Sequence, residues 1–196
     1  PVDRYGFVHL HALERSLNDR TVLVSIQYAN SEVGTIQPIS AIAEIVRGFR
    51  VQGTGYRKKN QETLHPTPFT LYPLFHTDAV QALPFFDVRV TMVGIDLATI
   101  SGHKVYGPKG IGALYVRQEL RAPEPHTLRP LITGGGQERG MRSGTENVAA
   151  IVGFAAAAEL IAQRRGRACV RITALRDRLW RGIKSAWPKA AVNGAA

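Results

Sequence analysis

Cysteine is almost missing from this sequence: Cys169 is the single one in 196 residues. One thiol excludes an internal disulfide and a thiolate metal cluster, and it makes a reducing compartment the default. Long apolar runs are missing too. None approaches the roughly 18 residues that a membrane-crossing helix needs, and no leader pattern opens the chain. Acidic residues are the scarcer charge, 15 against 25 lysines and arginines. The resulting net charge of +10 permits an acidic partner or an anionic ligand. No internal repeat is visible, and no glycine-rich segment ends in the GK[ST] of a nucleotide loop, which argues against ATP.

What remains is a globular composition, 44% hydrophobic and 20% charged, with enough apolar material for a core. The length fits one ordinary domain, or one and a half modules of a larger enzyme. Pro1 stands where an initiator methionine would, and residues 190–196 end without a capping element, so an internal fragment is expected.

Helical spacing covers Leu10 to Leu17 and ends at Asn18-Asp19. Strands are predicted over Thr21–Ile26, Leu71–His76, Leu97–Ser101 and Gly112–Arg117. Ser40 is a candidate N-cap for a helix through Ile42, Ile45 and Val46 toward Phe49. Beyond Gly144 the pattern stays helical over 147–165 and again over 167–187. Strands alternating with helices predict an α/β fold, a mainly parallel sheet with flanking helices. Residues 47–70 break the rhythm and read as a solvated loop, unusually long for a compact domain. Five basic residues from Arg47 to Lys59 make nucleic-acid contact a minor alternative there, with solvation the ordinary reading.

Four segments carry candidate chemistry. Ser101-Gly102-His103-Lys104 follows a predicted strand and leads into the glycine-rich Gly107-Pro108-Lys109-Gly110. A lysine so placed can form a Schiff base if burial or nearby positive charge lowers its pKa, or it can be a solvated turn residue. His76-Thr77-Asp78, with Gln81 three residues on, also leaves a strand end, where open α/β sheets bind ligands. Asp78 can pair with a protonated ring nitrogen or simply cap a following helix. Asn30-Ser31-Glu32-Val33-Gly34 offers amide and hydroxyl groups at another strand end, or forms a plain turn. The run Gln137-Glu138-Arg139-Gly140-Met141-Arg142-Ser143-Gly144-Thr145 supplies main-chain N–H groups and cations for an anion ahead of a helix.

Together these four motifs, with 26 residues from Asp78 to Lys104, resemble the cysteine desulfurases and selenocysteine lyases. Those are pyridoxal-phosphate enzymes of the class V aminotransferase group. The resemblance implies the large domain of the type I pyridoxal-phosphate fold over residues 1–145, interrupted by an insertion at 47–73. Residues 146–196 would be long helices leading into a smaller domain.

It further implies that Lys104 holds the cofactor and later moves the substrate α-proton, and that Asp78 keeps the pyridine nitrogen protonated. Gln81 would bond the ring hydroxyl, Ser101 and His103 the phosphate, and Thr145 the phosphate of the partner subunit's cofactor, hence a homodimer. Ser31 stands where the family has a second asparagine that meets cofactor and substrate. The implied reaction takes sulfur from L-cysteine, leaves L-alanine, and passes a persulfide to acceptor or scaffold proteins for iron–sulfur assembly. The compartment would be the cytoplasm or the mitochondrial matrix. Cys169 does not match the family's sulfur-accepting cysteine and reads as a structural helix residue. A fragment without that thiol is expected to be inactive. The alternatives are a selenocysteine lyase or a truncated paralogue without catalysis. No metal, membrane or nucleic-acid partner is implied.

Overall fold

The computed structural model describes residues 1–56, 73–120 and 128–194. Its elements are α1 (Leu10–Ser16), β1 (Leu23–Gln27), α2 (Ile39–Tyr56), β2 (Leu74–Asp78), α3 (Val90–Val93), β3 (Leu97–Ser101), β4 (Gly112–Val116) and α4 (Val148–Ala186). The sheet has the order β1-β2-β3-β4, with β1, β2 and β3 parallel and β4 antiparallel to β3. This is the mainly parallel α/β sheet that the alternation predicts.

Side-chain alternation gives the sheet two different faces. Val24, Phe75 and Ala98 point to one face and pack against Ile39, Ile42, Ala43 and Val46 of α2, an i, i+3, i+4, i+7 stripe. Leu74, Leu97 and Val116 point to the other, where Leu120 and the half-buried Leu128 join them. On that second face Leu23 and Leu114 stay exposed.

A charged lock closes the N-terminal ends of β2 and β3. Asp96, fully buried, accepts the Phe75 N–H at 2.7 Å and is ion-paired to Arg50 of α2. Its other oxygen lies 2.9 Å from Arg117 Nη1, just past β4. Arg50 Nε also donates to the Pro73 carbonyl at 2.7 Å, so helix and three strands meet on one carboxylate.

Several boundaries differ from expectation. Helix α2 starts at Ile39, which puts Ser40 inside the first turn rather than at the cap, and it runs on to Tyr56. The break expected from residue 47 is therefore helical over its first ten residues, 47–56. The rest of that loop, from Arg57, lies outside the described residues, as do Leu71 and Tyr72. The two C-terminal helical stretches are one helix of 39 residues. Gly166 sits within it, a cost of about 1 kcal/mol that a long helix tolerates. Among the described residues no helix is long and apolar enough to cross a membrane.

Candidate functional site

Asp78 and Ser101 lie at the C-terminal ends of β2 and β3, and His103 and Lys104 lie on the turn that follows β3. Asp78 is the last residue of β2, level with Gln27 of β1 and Thr99 of β3. Ser101 ends β3 two residues further on, so the Asp78 carboxylate and the lysine turn share one sheet edge. Asp78 is exposed, and its Oδ1 accepts the Val80 N–H at 2.9 Å, which starts the turn that follows. Residues 80–85 are successive turns rather than the expected helix, closed by bonds such as Leu83 N–H to the Ala79 carbonyl. Gln81 sits half-buried on those turns. Phe86 at their end stacks on Tyr28 just past β1, with ring centroids 5.9 Å apart.

Lys104 lies on a 3-10 turn, Gly102–Val105, immediately after β3. Buried Val105 anchors the turn, while Lys104 itself is exposed, so its amine is not held in an apolar pocket. The turn is tight because Gly102 N–H donates to the Ile111 carbonyl and Gly107 N–H to the Gly102 carbonyl, both at 2.9 Å. A Cβ on Gly102 would lie 2.7 Å from Ile111 Cγ2 and 3.1 Å from the Pro108 carbonyl oxygen, so only glycine fits. Ser101 Oγ and His103 Nδ1 are 2.9 Å apart, a hydroxyl and an imidazole side by side at the mouth of the turn.

Ser31 and Thr145 lie on separate loops. Ser31 is exposed on a short hairpin beyond β1, where Asn30 Oδ1 accepts the N–H groups of Glu32 and Val33, each at 2.9 Å. Thr145 is exposed two residues before Asn147, the N-cap of α4, whose side chain accepts the Ala150 N–H at 3.2 Å. Its loop is folded on itself by Gln137 Oε1, which accepts Gly144 N–H at 3.0 Å. Among the described residues, neither Ser31 nor Thr145 bonds to Asp78, Gln81 or Lys104.

Other side chains support the site without a signal in the sequence. Ser25 of β1 meets His76 of β2 across the register, with Oγ and Nδ1 2.7 Å apart. Burial holds the His76 imidazole below its usual pKa, and the nearby Asp78 charge opposes that shift. The Ser31 hairpin is pinned from beneath. Gln37 is buried, accepts the Val8 N–H and donates to the Gly6 carbonyl, while Thr35 donates to the Tyr5 carbonyl. Only the pairing of residues about 30 positions apart reveals this clamp. Cys169 is half-buried on α4, with its Sγ 3.7 Å from the Phe85 carbonyl oxygen.

The donor set suits an anionic, aromatic aldehyde cofactor. It has an amine, a carboxylate on the neighbouring parallel strand, a hydroxyl–imidazole pair, and a turn so close that a Cβ has no room.

The family described as Aminotransferase class-V matches residues 1–51 and 72–191, leaving 52–71, within the expected insertion, outside the match. Cysteine desulfurase IscS 1 of Archaeoglobus fulgidus is 44% identical over 179 residues, 91% of this chain and 39% of that protein. Cysteine desulfurase IscS of Clostridium botulinum is 41% identical over 194 residues, 99% of this chain and 42% of its own length. Among solved structures, a NifS-like protein superposes with a TM-score of 0.75 at 41% identity, over 94% of this chain and 44% of that one. A structure described as SspA in complex with cysteine gives a TM-score of 0.63 at 37% identity, over 81% and 38%. The chain thus spans about two fifths of the length of the curated relatives it matches.

Proposed function

The chain belongs to the class V aminotransferase family, and from that premise we propose that it is the cofactor-binding part of a pyridoxal-phosphate-dependent cysteine desulfurase. What supports this reading most is one juxtaposition. The exposed amine of Lys104 and the exposed carboxylate of Asp78 leave neighbouring parallel strands at the same edge.

Pyridoxal phosphate, when bound, supplies an aldehyde and a ring that takes up negative charge from the substrate's α-carbon. The residues do the rest. Lys104 Nζ holds the cofactor and carries the α-proton of L-cysteine. Asp78, whose second oxygen is free of side-chain partners among the described residues, keeps a proton on the ring nitrogen. Gln81 donates to the ring hydroxyl. Ser101 and His103 take the phosphate, and Thr145 reaches the phosphate in a second subunit, so the working unit is a homodimer. Ser31 offers a hydroxyl where an asparagine amide would reach further.

Cys169 is not the sulfur acceptor in this reading, because its thiol faces the Phe85 carbonyl on the flank of α4. The accepting thiol comes from outside these 196 residues. Residues 1–145 are read as the cofactor-binding domain and 146–196 as the connection to a smaller one.

Titration of the pyridoxal-phosphate-loaded protein with L-cysteine tests the reading. The visible absorbance is expected to respond to L-cysteine and not to L-serine, and Lys104→Ala removes the response. These residues alone are expected to release no sulfide. An equal response to serine contradicts the substrate assignment, and sulfide release by the 196-residue chain contradicts the assignment of the thiol.

A further inference from the structure

Helix α4 touches both turns that carry the candidate site, at two points well separated along its axis. Near its start it passes directly over the lysine turn. A Cβ on Gly153 would lie 2.9 Å from Pro108 Cγ and 3.3 Å from Pro108 Cδ. One turn later, the Ala157 Cβ sits 3.4 Å from where a Cβ on Gly107 would be. The helix backbone and the Gly107-Pro108 segment therefore meet with almost no side chain between them.

Further along, Arg165 Nη2 donates to the Leu83 carbonyl at 3.2 Å. Leu83 is tied back to Ala79, the residue after Asp78, by its N–H. Gly153 and Arg165 are 12 residues apart, a rise of about 18 Å along a helix. The capped N-terminus at Asn147 and the unbroken run to Ala186 keep that interval stiff.

We infer that α4 acts as a spacer, with Gly153 and Arg165 as positioning residues. Gly153 sets the height of the lysine turn, and Arg165 sets the Asp78–Gln81 turn relative to it. The inference rests on the cofactor reading above, because it concerns where the amine stands relative to the carboxylate. Plain packing would ask only that the contact be filled. The spacer asks in addition that a shift at Gly153 be felt by the amine, and that relief at Pro108 undo it.

The test uses Gly153→Ala, alone and with Pro108→Ala, in the pyridoxal-phosphate-loaded protein. The new Cβ collides with two ring atoms that Pro108→Ala removes, so the double variant restores the spacing. Gly153→Ala is expected to weaken cofactor binding roughly tenfold, the scale on which small misplacements act. It should also move the pH midpoint of the visible band at saturating cofactor. The double variant should recover both to within roughly twofold of the parent. Arg165→Ala should move the same midpoint without touching the lysine turn, which keeps the test alive if Gly153→Ala fails to fold.

An unchanged midpoint in both Gly153→Ala and Arg165→Ala, whatever happens to melting temperature, overturns the inference. Hydrogen exchange separates it from the cofactor reading. If the parent protein forms no cofactor band, the cofactor reading fails. Faster exchange at Gly102 and Gly107 amides in Gly153→Ala, reversed by Pro108→Ala, then still shows the spacer. Unchanged exchange overturns it.

Discussion

At the scale of single residues, the lysine turn depends on an atom that is absent. A methyl group at position 102 would meet Ile111 Cγ2 at 2.7 Å and two carbonyl oxygens at 3.1 Å. Two of these three neighbours are backbone and cannot turn away. Gly102→Ala should therefore cost about 1–3 kcal/mol in chemical denaturation, the usual penalty for overpacking. Loss of less than half a kilocalorie would mean that the turn is looser than its bonds suggest. His76 gives a pH effect whose sign is fixed. Its pKa is lowered in the folded state, so the unfolded chain binds more protons once the pH falls below 6.5. Stability present at neutral pH should thus be lost as the pH drops from there through the lowered value. A melting series across that window should show the decline in the parent and a flatter curve in His76→Asn. Equal slopes would remove His76 from the account. Lys104 and Asp78 stood out as candidates in the sequence because each follows a predicted strand closely and sits beside turn residues. The Ser25–His76 contact did not, because strand register decides it and its partners are 51 residues apart.

At the scale of elements, the strands were legible in place but not always in their ends, and the helix ends were not legible either. Thus β1 is Leu23–Gln27 and β2 is Leu74–Asp78, where Thr21–Ile26 and Leu71–His76 were expected. Strand β3 runs from Leu97 to Ser101 as its apolar run predicts. Helix α2 instead overruns Gly48 and Gly53, because its buried stripe from Ile39 to Val46 pays for a tail of poor helix formers. The Asp96 lock was also hidden. From sequence, Asp96 is one charged residue in the apolar stretch that leads into β3, with no mark of a partner. In the fold it is fully buried between Arg50 and Arg117 and also binds the Phe75 N–H. Removing one member of such a buried cluster leaves charge without a partner. Asp96→Ala is expected to destabilise by about 3–5 kcal/mol. Because Asp96 lies at the sheet end opposite Asp78, cofactor binding by whatever remains folded should be little changed. A variant that melts like the parent would show that the lock contributes nothing net, as some buried ion pairs do.

At the scale of the whole molecule, two readings met from opposite directions. Four short motifs implied one family, and the family match covers both sides of the expected insertion while omitting residues 52–71. The sheet explains why motifs scattered from Ser31 to Lys104 can act together. Parallel strands start from one edge and finish at another, so residues at successive strand ends become neighbours. The loop from Leu131 to Asn147 and the long α4 are harder to read. The helix carries Ile172, Leu175, Leu179 and Ile183 exposed on one side. The central claim is that Lys104 is the cofactor-bearing amine at an edge completed by Asp78. Borohydride reduction of the protein with pyridoxal phosphate, followed by peptide mass mapping, tests it most directly. The label should fall on the peptide containing Lys104, and Asp78→Ala should reduce cofactor affinity without moving the label. A label on Lys109, Lys184 or Lys189, or none at all, would contradict the account.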